Sequence, residues 1–255
     1  MSHVRLIARL DVRNSHLIKT INLEGVRKVG DPNEFAYRYY RDGIDEIVYM
    51  DVVASLYDRS YFDEIIRRTA ENVFVPITAG GGIRTLQDVE QVLRSGADKI
   101  AVNTAAIGKP EFIEEIAHRF GSQCMVLSIE AKRNGPQSWE AYCDGGREHT
   151  GRDAVEWAQE AQDRGAGEIL LTSIDCEGIA EGMDVELLGA VNSRITVPVI
   201  ASGGVGNLQH VSAAVRDGGA DAVAMAYVLH YGTLTVKDVR DYALKQGIDV
   251  RANAP

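Results

Sequence analysis

The sequence has little from which to build a disulfide framework or a metal site. Its three cysteines, Cys124, Cys143 and Cys176, are odd in number and lack metal-ligand spacing. Packed or free thiols in a reducing cytoplasm are expected, with neither metal nor cofactor. Positive charge is also short: 27 Lys and Arg stand against 37 Asp and Glu, a net of −10. That balance disfavours a nucleic-acid or anionic-membrane surface role. No apolar run approaches a membrane span, and the opening Met1-Ser2-His3-Val4-Arg5 has no secretory signal pattern. Phosphorylated small molecules remain compatible ligands, because backbone amides and helix ends bind them locally whatever the overall charge.

What is present suffices for a large core: 255 residues, 45% of them hydrophobic. Two small domains or one α/β barrel reach that size. The stretch Pro76-Ile-Thr-Ala-Gly-Gly-Gly-Ile-Arg84 runs an apolar strand into three glycines and then a helix near Thr85. Glycines let a backbone approach a ligand, and the helix offers N–H groups to an anion. A near copy stands at Pro198-Val-Ile-Ala-Ser-Gly-Gly-Val-Gly206.

In chain order, a strand over Leu6–Leu10 delivers Asp11 at its end. A long loop, 12–30, follows and carries Lys19; loops of that length in compact domains are usually functional. Asp31-Pro32 caps and starts a helix to about Asp42. Strands are then expected at 46–51, 74–79, 99–103, 125–129, 168–172, 197–201 and 222–225. A loop through Ser55 follows the second of the eight. Helices are expected at about 60–72, 85–95, 110–120, 151–164, from Asp184, 207–217 and 235–246. A β-hairpin insertion at about 131–150 carries Trp139 and Tyr142. Eight strand–helix units with short connections argue for a parallel sheet closed into a single (β/α)₈ barrel over 1–255. The rival is an open doubly wound sheet. The internal repeat decides against it: Glu46 and Glu168, and the two glycine turns, are each 122 residues apart. Half-barrels of about 1–122 and 123–255 close into such a barrel.

Active sites of these barrels lie at the C-terminal strand ends. Asp11 and Glu130 therefore face one another across one mouth, as an acid/base pair or merely as loop caps paired with Lys19 and Lys132. Gly81 and Gly82 with Asn103 and Thr104 form one phosphate cradle, and Gly203 and Gly204 beside the eighth strand form its counterpart. Arg5, Glu46, Lys99 and Glu168 lie at strand beginnings, an alternating-sign ring at the bottom that physics alone reads as a salt-bridge plug.

These motifs closely resemble the cyclase subunit of imidazole glycerol phosphate synthase, the HisF family, over essentially the whole chain. The match includes Leu10-Asp11-Val12, Gly30-Asp31-Pro32, Gly80-Gly81-Gly82-Ile83-Arg84, Gly96-Ala97-Asp98-Lys99 and Phe120-Gly121-Ser122-Gln123. It continues through Glu156-Trp157-Ala158, Gly165 to Ser173 and Ala201-Ser202-Gly203-Gly204. The resemblance implies that ammonia from a glutaminase docked at the barrel bottom passes through the interior to a bisphosphorylated ribulosyl aminoimidazole. The products are imidazole glycerol phosphate and an aminoimidazole carboxamide ribotide. It implies Asp11 as general acid/base, Lys19 on a mobile loop closing over substrate, the Arg5–Glu46–Lys99–Glu168 ring as the ammonia gate, and Asp98 as the docking site. Gly178 and Tyr227 fall among the positions facing the second phosphate.

The departures from the family's pattern cluster. Glu130 replaces an Asp, which moves the carboxylate by ~1.5 Å, and a misplacement of that order can cost ~10²-fold in rate. Asp175-Cys176-Glu177-Gly178-Ile179 stands for Asp-Arg-Asp-Gly-Thr, Tyr227 for Ser, and Arg9 for Cys. Three alternatives therefore stay open. One is a HisF-like subunit making acetamidino groups on a nucleotide-linked sugar. Another is a barrel that only binds and activates a glutaminase. The third is an isomerase of the related histidine-pathway barrel type.

Overall fold

Eight parallel strands close on themselves in the computed structural model, which describes residues 3–52 and 60–252. The strands are β1 (Arg5–Arg13), β4 (Glu46–Asp51), β5 (Ile77–Gly80), β6 (Lys99–Val102), β7 (Met125–Gly135), β10 (Glu168–Ser173), β11 (Val199–Ser202) and β12 (Ala222–Met225). They neighbour one another in that order, and β12 pairs with β1 to complete the ring. This is the expected (β/α)₈ barrel. The loop through Ser55 falls outside the described residues.

Four further strands form two antiparallel hairpins on the mouth. β2 (His16–Ile21) and β3 (Glu24–Gly30) extend from β1, and β8 (Ser138–Cys143) and β9 (Glu148–Asp153) extend from β7. The second is the expected insertion, running a few residues further. The first corrects the expected 12–30 loop. Its turn places Asn22 and Leu23 at φ 52° and 63°, the left-handed pair a two-residue hairpin needs, without the glycine that normally announces it.

Helices α1 (Pro32–Arg41), α2 (Ser60–Ala70), α3 (Leu86–Arg94), α5 (Glu111–Phe120), α6 (Ala154–Asp163), α7 (Val185–Asn192) and α8 (Leu208–Arg216) join successive barrel strands, and α10 (Val236–Lys245) follows the last. The short α4 (Thr104–Gly108) and α9 (Tyr227–His230) follow β6 and β12. The element order of the first four strands thus recurs over the second four. Six of the long helices, α1, α3, α6, α7, α8 and α10, start where the chain supplies a side-chain acceptor, whereas α5 starts at Pro110 without one. Asp31 accepts from the amides of Asn33 and Glu34 at 2.8 and 3.2 Å. Asp31→Ala is expected to cost about 1 kcal/mol, lowering Tm by roughly 2–4 °C in a thermal melt.

Period-two alternation sorts each barrel strand. One face gives the outer core against the helices, with Leu6, Ile47, Ile100, Leu127, Ile169 and Val223 fully buried. The other gives the lumen: Ile7, Val48, Ala101, Val126, Leu170, Ile200, Ala222 and Ala224. The interior of an eight-stranded barrel is just wide enough for side chains to fill, so alanines on β6 and β12 leave room for something longer from elsewhere. On β1 the inward face reads Arg5, Ile7, Arg9, Asp11.

Below the apolar layer the charged ring is closed. Arg5 bonds Glu46 at 2.8 Å and also Glu168, and Lys99 meets Glu46 and Glu168 at 3.2 and 3.0 Å. Asp45, Asp98 and Asp221, each just before its strand, tie the bottom edge. Their carboxylates accept the amides of Leu6, Ile77 and Val199 on the neighbouring strand at 2.8, 2.8 and 2.9 Å. Asp98 therefore has a structural duty within this chain.

Candidate active site

At the other end of the barrel, Arg9 dominates. It is 3% exposed and Asp11 is 1% exposed. The Arg9 Nε donates to Asp11 Oδ1 at 2.9 Å, and Nη1 donates to Thr172 Oγ1 at 2.8 Å and Ser202 Oγ at 2.9 Å. The guanidinium thus spans the mouth from β1 to β10 and β11. Period-two parity carries the signal for it: a charged residue two before Asp11 on an otherwise apolar strand must face the same lumen.

Two carboxyls meet in this field and are shifted in opposite directions. Burial would raise Asp11, but the attraction of Arg9, then of Lys19, outweighs it and holds the carboxyl below its ordinary value. Glu130, at the seam between β7 and its hairpin, is pushed up to about 7, chiefly by burial. Arg9 and a hydrogen bond from the Gly146 amide only partly offset that rise. Near neutral pH Asp11 is therefore a base while Glu130 still holds a proton about half the time, a division that a proton-shuffling reaction can use.

Lys19 lies on β2, buried, in an ion pair with Glu177. The hairpin is docked there by its turn: the Asn22 amide donates to the Glu177 carbonyl at 2.8 Å. Lys19 and Glu177 are 158 residues apart in the chain, so only the folded barrel brings them together. Lys19, Gly178, Gly203, Gly204 and Tyr227 line one cleft together with Arg9 and Glu177. The Tyr227 ring sits 5.0 Å from that of Tyr231.

The opposite cradle is differently arranged from the expectation. Gly81 has φ 103°, and a Cβ there would strike the Asp51 carbonyl, so glycine is required. Yet α3 spends part of its N-terminus on its own cap. Asp88 accepts from the Arg84 and Thr85 amides, both at 2.9 Å, while Thr85 Oγ1 accepts from the Asp88 amide at 3.1 Å. This capping box takes up N–H groups expected for an anion. Asn103 likewise gives its amide hydrogens to Glu130 Oε2 and the Tyr142 carbonyl, both at 3.1 Å. It couples the cradle to the raised carboxyl. Thr104 Oγ1 accepts from the Asp144 amide at 3.0 Å, which leaves its hydroxyl proton to donate.

Missed from the sequence were Thr172 and Ser202, which hold Arg9, and His230 behind β1. His230 accepts or donates at 2.7 Å with Tyr39 Oη, and burial depresses its imidazole to about 4. No spacing signals these contacts.

The histidine biosynthesis protein family matches residues 5–235 of the chain. The imidazole glycerol phosphate synthase subunit HisF of Legionella pneumophila is 60% identical over 209 residues, covering 82% of this chain and 99% of the relative. With the barrel closed and these residues gathered at its mouth, the chain belongs to the histidine biosynthesis protein family, as an enzyme of its imidazole glycerol phosphate synthase HisF group.

Proposed function

We propose that the chain is the ammonia-using cyclase subunit of imidazole glycerol phosphate synthase, with Asp11 and Glu130 as its proton-handling pair. Ammonia adds to a carbonyl of the ribulosyl aminoimidazole, water leaves, and closure of the imidazole ring releases the aminoimidazole carboxamide ribotide. Each stage takes a proton from one atom and delivers one to another. The observation that carries the assignment is a pair of buried carboxyls at one mouth, Asp11 bonded to Arg9 and Glu130 to Asn103, whose surroundings shift them in opposite directions. Gly81, Gly82 and Thr104 would hold one phosphate, and Gly178, Gly203, Gly204 and Tyr227 the other. Lys19 would pass from Glu177 to the substrate as the hairpin closes.

A HisF subunit implies a HisH-type partner. The glutaminase would dock on the bottom face around Asp98, and the Arg5–Glu46–Lys99–Glu168 ring would open to admit ammonia. Both acids are shared by both bases in the ring, so its opening would break these ion pairs.

Purified protein with the ribulosyl aminoimidazole substrate and ammonium salt is expected to consume substrate without any partner. Glutamine should replace ammonium only when the glutaminase is added. Absence of turnover with ammonium, together with glutaminase stimulation by a nucleotide sugar, would sink the histidine-pathway substrate. It would favour sugar amidination, to which the Glu130, Ile179, Tyr227 and Arg9 departures point.

A further inference from the structure

We propose that Arg9 is itself a substrate-binding residue: its Nη2 takes an oxygen of the phosphate held at the Gly203–Gly204 end of the mouth. This deepens the function proposed above and rests on it for the presence of a phosphate there.

A guanidinium has five N–H donors in a rigid fork. In this chain Nε is spent on Asp11, and Nη1 on Thr172 and Ser202. Among the described residues the two donors of Nη2 have no protein acceptor, and that nitrogen is not among the fully enclosed unpaired atoms. Arg9 forms the wall of the cleft together with Gly178, Gly203, Gly204 and Tyr227. A guanidinium held rigid at the cleft wall with two donors left over is placed to give them to a ligand acceptor. Three protein bonds fix its plane, so no side-chain freedom is lost on binding.

Charge supports the same assignment. Around the cleft, Arg9 and Lys19 balance Asp11 and Glu177 one for one. Without Arg9 the four-residue cluster would carry a net negative charge, and Glu177, whose carboxylate lies beside Gly203, would oppose any anion. Tyr227, with its ring turned against Tyr231, offers at most one hydroxyl. Arg9 supplies charge-assisted bonds in its place, so this end selects a phosphate over an uncharged hydroxyl by roughly 10- to 100-fold.

Calorimetric titration with inorganic phosphate, in buffer free of other oxyanions, tests this without turnover. Wild type is expected to take two phosphates. Arg9→Cys and Arg9→Gln should each weaken one of them roughly 10- to 100-fold, while Thr104→Val weakens the other. Asp11→Asn should keep both, because Arg9 then loses a competing carboxylate. Unchanged phosphate binding in whichever Arg9 variant folds overturns the proposal. So does a wild type that binds only the phosphate sensitive to Thr104→Val. Equal loss in Asp11→Asn and Arg9→Gln also overturns it, since Arg9 would then act only through Asp11. An Arg9-dependent phosphate in a protein with no cyclase turnover would sink the proposed reaction and leave this site standing.

Discussion

Asp11→Asn is expected to lower turnover with ammonium salt roughly 10²- to 10⁴-fold, and to destabilise the barrel as well. The rate falls because an amide cannot exchange the proton that a carboxylate held ionised beside Arg9 exchanges. The stability falls for a different reason. Arg9 and Asp11 are both buried, and removing one partner of a buried ion pair strands the other at about 3–5 kcal/mol. For a chain of this size that corresponds to a Tm drop of roughly 6–20 °C. Arg9→Met in the same chain separates the two effects. The double variant has no stranded charge, so its Tm should recover most of the loss while activity stays absent. A double variant as unstable as Asp11→Asn alone would show that the pair is not what Asp11 stabilises.

The barrel was legible because its signals are local and repeat. Asp31-Pro32 and Thr85 with Asp88 announce helix starts through side-chain acceptors that the structure uses. The matched glycine turns marked the strand ends of the mouth. Where no local chemistry marks an element, the reading failed. The short α4 and α9 have no side-chain cap bond at their starts, and Leu23 holds a left-handed turn position with nothing in its type to suggest it. At the site the split is the same. Asp11, Glu130 and the glycines follow from strand ends, and the ring follows from strand beginnings. The partners of Arg9, and the pairing of Lys19 with Glu177, depend on which strands become neighbours across the closed mouth. The spent amides of α3 could have been read, since Thr85 and Asp88 have capping-box spacing. A helix that caps itself has less to offer an anion.

Glu130→Gln should produce the second large effect, and its sign is set by the direction of the Glu130 shift. The folded-state value is about 7, raised from 4.5 chiefly by burial. The folded chain therefore holds this proton over a range where the unfolded chain has lost it. The associated stability is fully present below pH 4.5 and is lost as pH rises to about 7, a difference of roughly 3 kcal/mol. Glutamine is neutral throughout, so the variant should gain on wild type as pH rises. Urea unfolding at pH 4.5 and pH 8 measures that relative gain, expected to approach roughly 3 kcal/mol. Turnover should move the other way, falling roughly 10²- to 10⁴-fold at neutral pH, because the amide cannot deliver a proton. In wild type, kcat/KM is expected to decline above about pH 7 as Glu130 ionises; the residual rate of Glu130→Gln should lack that limb. Glu130→Asp keeps the acid but draws it back by ~1.5 Å, toward the geometry the family uses. If the extra methylene is the only obstacle, cyclase turnover rises. If turnover is unchanged or falls, the mouth has been refitted around the longer acid, with Asn103 and Arg9 positioned for Glu130. A profile for Glu130→Gln that keeps its decline near pH 7 would assign that proton to another group.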